Sequence, residues 1–295
     1  MQKALPAKPS PLEAAAAPAF VVIWSTGFVV ARLIRGTVDP ELFLAARFVL
    51  IAVLFVPLVL ATGAAWPRGR DIARHLAAGM LINGLYLGAS FWAVANGLPA
   101  AVNALIGALQ PLLVALLSRA VLGERVTRRT WVGLLVGLAG VALVIAPRLA
   151  SGDGSVGSPL VLAVAFAGIV SMTVGALVQK TSLAGADLRA ASALQNAGAA
   201  AVCGLAALVL GEDRWTGGAA SLAALAWSGV IVSGGGTTLL VWMIRRGAAA
   251  RASALLLAVP PLVAVETFVI FGDRLTLVQM LGFAVAIGGV WLARR

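Results

Sequence analysis

Apolar residues in this chain run in long unbroken stretches instead of alternating with polar ones. After a polar opening that carries Lys3 and Lys8, the first stretch begins at Pro18. Others follow near 42–62, 76–95, 99–118, 130–146, 159–178, 188–210, 221–244, 252–271 and 276–293. A helix needs about 20 mostly apolar residues to cross the hydrocarbon core of a bilayer, and each stretch approaches that length. The stretches are rich in Ala, Leu and Val without two-residue alternation, which argues against strands, and a helix satisfies its own backbone in lipid. The pattern predicts an all-α integral membrane protein with ten transmembrane helices. The first stretch exceeds a signal-peptide core and is followed by Arg32 and Arg35, not by a small-residue cleavage site, so it is expected to remain as the first span.

Composition sharpens this picture. Of 295 residues, 61% are hydrophobic and 11% charged, against about 25% charged in a soluble domain, and little chain is left for a separate soluble domain. The net charge of +11 suggests a nucleic-acid partner only if the basic residues share one polar face; here they sit between apolar runs. With the N-terminus inside, Lys3 and Lys8, Arg68 to Arg74, Arg119 to Arg129, Lys180 and Arg189, Arg245 to Arg251, and Arg294 and Arg295 fall on the cytoplasmic side. Arg32, Arg35, Arg148, Arg214 and Arg274 fall opposite, and Arg47 lies inside a span. Cytoplasmic loops retain Lys and Arg. The asymmetry therefore predicts a multi-pass membrane protein with both termini cytoplasmic, whose partner is the bilayer and not nucleic acid. Lipid-headgroup binding is a second reading of the same loops. A single Cys and a single His exclude a disulfide framework and a His/Cys zinc cluster, so no metal and no cofactor are expected.

The two halves repeat. An offset of 150 pairs Gly84 with Gly234, Trp92 with Trp242, Gly97 with Gly247, Ala104 with Ala254, and Pro111 with Pro261. An offset of 149 matches Gly123-Glu124-Arg125 to Gly272-Asp273-Arg274, and one of 146 pairs Glu41 with Asp187. Five spans per copy is an odd number, so the second copy enters the membrane upside down, an arrangement suited to alternating access. The expected organisation is two inverted five-helix repeats: 1–17 as a cytoplasmic segment, 18–147 as the first repeat, 148–158 as a linker, 159–293 as the second repeat, and 294–295 as a cytoplasmic end.

The segment from Phe91 to Val144, FWAVANGLPAAVNALIGALQPLLVALLSRAVLGERVTRRTWVGLLVGLAGVALV, and its repeat from Val241 to Leu292 resemble the drug/metabolite transporter superfamily, EamA type. The resemblance covers nearly the whole chain and implies a ten-helix carrier for a small-molecule substrate in the cell (inner) membrane, with cytoplasmic termini. Within the superfamily the chain is most similar to the aromatic amino acid exporter branch. It departs from its own repeat at Asp273, where the first copy has Glu124, and at Pro260, where the first copy has Gln110.

Candidate transport residues are polar or aromatic groups on central spans: Trp24, Ser25, Asn83, Tyr86, Ser90, Asn103, Gln110, Ser171, Thr237 and Thr238. Together they offer a polar cavity lining without fixed charge, although each alone is commonly an interhelical hydrogen bond. Pro111 and Pro261 are expected to kink their helices, since each removes a backbone hydrogen bond. Arg47 and Glu266 each lie six residues from the outer end of a span, about 9 Å deep. They are expected to pair and to serve gating or coupling, with separate snorkelling as the alternative. His75 is expected at an interface. Gly133, Gly137 and Gly140, with Gly282, Ala286 and Gly289, form small-residue stripes for packing between the repeats, or for a homodimer. The leading function is export of amino acids or related metabolites by a secondary transporter. Efflux of cationic or amphipathic drugs, with Glu266 as the recognition group, is the alternative. No catalytic set or Walker loop supports an enzyme or an ATP-driven pump.

Overall fold

The computed structural model describes residues 11–122, 127–150, 158–182, 186–236 and 256–293, with position 239. The helices are α1 (Pro11–Leu33), α2 (Pro40–Thr62), α3 (Arg70–Gly79), α4 (Tyr86–Ala95), α5 (Ala100–Gly107), α6 (Gln110–Leu122), α7 (Arg128–Ala150), α8 (Pro159–Ser182), α9 (Leu188–Leu210), α10 (Gly218–Ala226), α11 (Val259–Phe271) and α12 (Leu277–Ala293). A π-helical stretch, Met80–Leu85, joins α3 to α4 in one rod, and a second, Trp227–Gly236, continues α10. Five segments are long and apolar enough to cross a membrane: Pro40–Thr62, Arg70–Ala95, Pro159–Gln179, Leu188–Leu210 and Gly218–Gly236. Shorter apolar helices cover Pro18–Leu33, Ala100–Val114, Val259–Phe271 and Leu277–Leu292, and α7 covers the stretch at 130–146. No strand occurs among the described residues beyond an isolated bridge of Val38 with Trp215. Thr237, Thr238 and Trp242, like both terminal segments, lie outside the described residues.

The exterior is as apolar as the interior, which identifies the solvent. Leu208 is 81% and Val209 76% exposed, whereas Ser25 is fully buried and Asn103 is 4% exposed. In water such a surface would drive association; against lipid tails it carries no penalty. Packing therefore relies on close approach. The two glycine stripes face each other: a Cβ on Gly140 would run into the backbone of Ala286, and one on Gly289 into the backbone of Gly137 and Gly133. These stripes are consumed within the chain, joining α7 to α12 along their lengths. The α3 and α9 backbones meet similarly, through Gly79 against Gln195 and Gly198 against Leu76.

Two connections lock one end of the bundle. Asp39, in extended conformation, precedes Pro40 at the start of α2, and α2 ends at Gly63 in the left-handed region. Its first N–H groups lack partners within the helix, and Glu212, from the α9–α10 connection, supplies one: Oε2 accepts from the N–H of Glu41 at 2.8 Å and of Leu42 at 2.9 Å. The Asp39 carboxylate receives the Arg214 guanidinium at 2.6 Å and the Arg214 N–H at 2.9 Å. Burial pushes the Asp39 carboxyl up, but these Arg214 hydrogen bonds win and hold it below its ordinary value. Burial pushes the Glu212 carboxyl up despite the two N–H donors. Backbone bonds from Asp39 to Arg214 and from Thr216 to Thr37 complete the clasp. At α9, Asp187 caps its own helix, and hydrogen bonds from the Arg189 side chain and N–H hold its carboxyl down at about 2.

Glycine position separates packing from propensity. Gly140→Ala is expected to lower the detergent unfolding midpoint, consistent with an overpacking cost of about 1–3 kcal/mol. Gly204→Ala, on an α9 face with nothing within 4 Å, is expected to leave it unchanged or raise it. Equal effects at both sites would refute backbone contact between α7 and α12. For the clasp, Glu212→Ala is expected to cost about 1–2 kcal/mol through the orphaned α2 donors, and Glu212→Gln, which keeps an acceptor, distinctly less.

Candidate functional site

A cavity lies where the rods are interrupted, with room for water centres over about 190 Å³. Its walls come from α1 (Trp24, Gly27, Phe28), the first π-helical stretch and α4 (Ile82, Asn83, Tyr86, Leu87, Ser90, Phe91), and the α5–α6 break (Ala104, Gly107, Ala108, Gln110, Pro111). Arg47, Met172, Val232, Ser233, Leu256 and Val259 complete it. Among the described residues, the two π-helical stretches, the α5–α6 break and the turn before α11 thus all border this space. The fourth apolar stretch stops at Gly107 and restarts at Gln110. Pro111 is the second residue of α6, where a missing N–H costs little, and Pro260 and Pro261 similarly open α11 after a 3-10 turn, Leu256–Ala258. The expected proline kinks are therefore breaks located just ahead of the prolines. Gly107 makes a close approach: a Cβ there would lie 3.1 Å from the Tyr86 hydroxyl, which would have to yield by a few tenths of an ångström.

Of the sequence candidates, Trp24, Asn83, Tyr86, Ser90 and Gln110 line the cavity. Asn103 stands behind it, donating from Nδ2 to the Ser90 hydroxyl. Ser171 donates to the Leu81 carbonyl at 3.1 Å, serving the first π-helical stretch from α8 without reaching the wall. Ser25 faces away, where its hydroxyl donates to Glu266 Oε1 at 2.7 Å.

The expected pairing of Arg47 with Glu266 is not formed. Arg47 Nη2 donates to the Ser233 hydroxyl at 2.7 Å, and Glu266 is held by Ser25. Equal depth was insufficient because direction around the bundle matters: α11 packs on α1 and α5, whereas α2 packs on α9, α4 and the second π-helical stretch. Arg47 contributes to the cavity wall and Glu266 does not. Arg47 Nε and Glu266 Oε2 are buried without partners. His75, expected at an interface, is fully buried with neither ring nitrogen partnered.

Several wall residues escaped the sequence reading. Phe28, Met172 and Ala108 carry no polar signal. Ser233 had one: it is the counterpart of Asn83 at the 150-residue offset, as Val232 is of Ile82, and all four line the cavity. Glu41 was read only as a span boundary. Its carboxylate is buried over Gly88, where a Cβ would lie 2.7 Å from Oε1, and the nearby Cys203 thiol donates to the Gly84 carbonyl. Among the described residues, no group of three or more His, Cys, Asp and Glu side chains is arranged to hold a metal.

Comparison with known proteins places this architecture. The uncharacterized inner membrane transporter YedA of Escherichia coli K12 is 24% identical over 194 residues, covering 66% of this chain and 61% of that protein. Its counterparts in strains O6:H1 and O157:H7 match to the same extent. The matched stretch thus spans about three fifths of those relatives. A protein of known crystal structure, 22% identical, superposes with a TM-score of 0.66 over 95% of each chain, which supports the fold alone. The EamA-like transporter family model matches residues 13–146 and again 159–295. Cavity, apolar exterior and this double match converge: the chain belongs to the EamA-like transporter family.

Proposed function

We propose that this protein is a secondary transporter that exports amino acids, including aromatic and other neutral ones, or related small metabolites across the inner membrane by alternating access. One observation carries the reading: a single cavity is bordered by helix interruptions that occur in matched pairs. The π-helical stretches hold Asn83 and Ser233 at equivalent positions. The α5–α6 break and the 3-10 turn ahead of α11 hold Ala108 and Ala258 likewise, again 150 apart. π-helical and 3-10 stretches weaken the regular hydrogen-bond ladder and often mark functional hinges.

Helix pairing supports two inverted repeats, 18–147 and 159–293. If the ten spans are relabelled by exchanging the first five with the last five, the packing pairs exchange among themselves. The contact of α1 with the second π-helical stretch becomes that of α8 with the first. The α1–α11 contact becomes α8–α6, and α2–α9, α5–α11 and α7–α12 map onto themselves. The clasped end also collects the ends that ten alternating crossings require, those of α1, α4 and α9 meeting the starts of α2 and α10. Arg35 there donates to the Ala95 carbonyl at 3.2 Å. With the basic loops on the other side, both termini are cytoplasmic. In alternating access the clasped and unclasped ends open in turn.

The wall combines amide, hydroxyl and aromatic groups, so it offers donors, acceptors and ring faces to a small zwitterion. Cationic drug efflux has less support, because the wall holds Arg47 and excludes Glu266.

Reconstitution into liposomes with a panel of labelled amino acids is expected to show saturable flux for at least one. Flux of a cationic dye with none for any amino acid would replace this reading by drug efflux. Ala108→Trp, which fills the cavity from its wall, is expected to cut flux at least about tenfold with an unchanged unfolding midpoint. Undiminished flux would move the pathway elsewhere.

A further inference from the structure

Arg47 is 5% exposed and sits in the membrane-spanning part of α2. An intramembrane cation persists when it is paired or faces a wet cavity. Its surroundings contain little that answers a positive charge. Ser233 Oγ accepts one hydrogen from Nη2, the Phe48 ring lies 5.6 Å from the guanidinium carbon, and Nε has no acceptor. No carboxylate among the described residues lies within ion-pair distance of it. The carboxylates that share this region are committed elsewhere: Glu41 over Gly88 beside Cys203, Glu212 on the α2 N-terminus, and Glu266 on Ser25.

Arg47 is also part of the cavity wall, where Tyr86 is the other ionisable group among the described lining residues. Phenol is neutral at physiological pH, so the cavity carries one net positive charge set among mostly apolar walls. Nε and Nη2 lie on one edge of a guanidinium, and that edge is the fork that takes the two oxygens of a carboxylate. Here Ser233 occupies part of it and Nε stands empty. A solute that brings a carboxylate supplies the missing acceptor and neutralises the buried cation, and a low-dielectric wall strengthens the attraction relative to water.

We infer that Arg47 is the anchor for the carboxylate of the transported solute, held in orientation by Ser233, so that the cavity selects solutes bearing a carboxylate over their uncharged or cationic analogues. The inference deepens the proposed transport reading and rests on it. It replaces the gating pair expected from the sequence with a recognition role for one partner. Asn83, Gln110 and Tyr86 are left to meet the rest of the solute.

The test uses matched solutes on the full chain: L-phenylalanine and L-leucine, their carboxamides, and the corresponding decarboxylated amines. Binding to the detergent-solubilised protein and flux in proteoliposomes are both measured. For the wild type, loss of the carboxylate is expected to weaken binding at least tenfold. Arg47→Gln is expected to abolish that discrimination, acid and amide binding alike, and Arg47→Lys to retain part of it. Ser233→Ala is expected to narrow the discrimination without removing it. A purely structural tie between α2 and the second π-helical stretch would lower the unfolding midpoint in Arg47→Gln and leave the ratio intact, which overturns the inference. If Arg47→Gln does not fold, the wild-type solute series decides: amides or amines handled as well as acids overturn it. Absence of saturable flux for every solute in the series, acids included, counts against the proposed export function itself, and flux indifferent to the carboxylate counts against this inference alone.

Discussion

In hydrocarbon, no backbone N–H or C=O group can turn to solvent for a partner, and that constraint governs this fold. It demands continuous helices on every lipid-facing surface and permits irregular backbone only where protein or water surrounds it. The chain obeys it closely. The stretches that leave regular α geometry at the centre, two π-helical segments, the α5–α6 break and the 3-10 turn before α11, all border the same internal cavity. Neighbouring side chains serve them, as when the Ser171 hydroxyl donates to the Leu81 carbonyl and Ser233 to that of Ser228. A site for solute is therefore a region where, among the described residues, irregular backbone and polar side chains can be accommodated inside the membrane.

The same constraint sorts the charges. At the clasped end, where water is near, Asp39 and Arg214 pair directly and Glu212 satisfies the first N–H groups of α2. Such contacts tie two connections together but stay solvated enough to break. Deeper in, three charged side chains lie against neutral groups: Glu266 against Ser25, Arg47 against Ser233 and Glu41 against Gly88. Neutral partners orient a charge without cancelling it. Of these three groups, Arg47 alone faces the cavity, and this gives the space its sign.

Packing sets what can move. The α7–α12 pair meets backbone to backbone through glycines and contributes no residue to the cavity wall. The rods bordering the cavity are interrupted halves hinged at weak hydrogen-bond ladders. In the proposed alternating-access cycle, a change confined to those hinges would leave the glycine contacts intact while altering which end of the cavity is open.

Much of this was legible in the sequence because one-dimensional patterns encode it. Apolar runs marked the helices, since lipid imposes length and composition on any segment that crosses it. The 150-residue offset marked the paired interruptions, and Gly133 to Gly140 with Gly282 to Gly289 marked a close contact. Cavity residues with a polar signal, such as Asn83, Ser90 and Gln110, were legible for the same reason. The direction in which a side chain points around the bundle was not encoded in that way. Arg47 and Glu266 share a depth, yet the packing of α1 and the second π-helical stretch sends them to Ser233 and Ser25, because rotation of each helix about its axis is decided by what it packs against. Tertiary structure alone also placed the proline breaks ahead of Pro111 and Pro261, buried Glu41 and His75, and put a lone cation in the cavity wall. Sequence determined which residues must lie in the membrane; only packing decided which of them face one another.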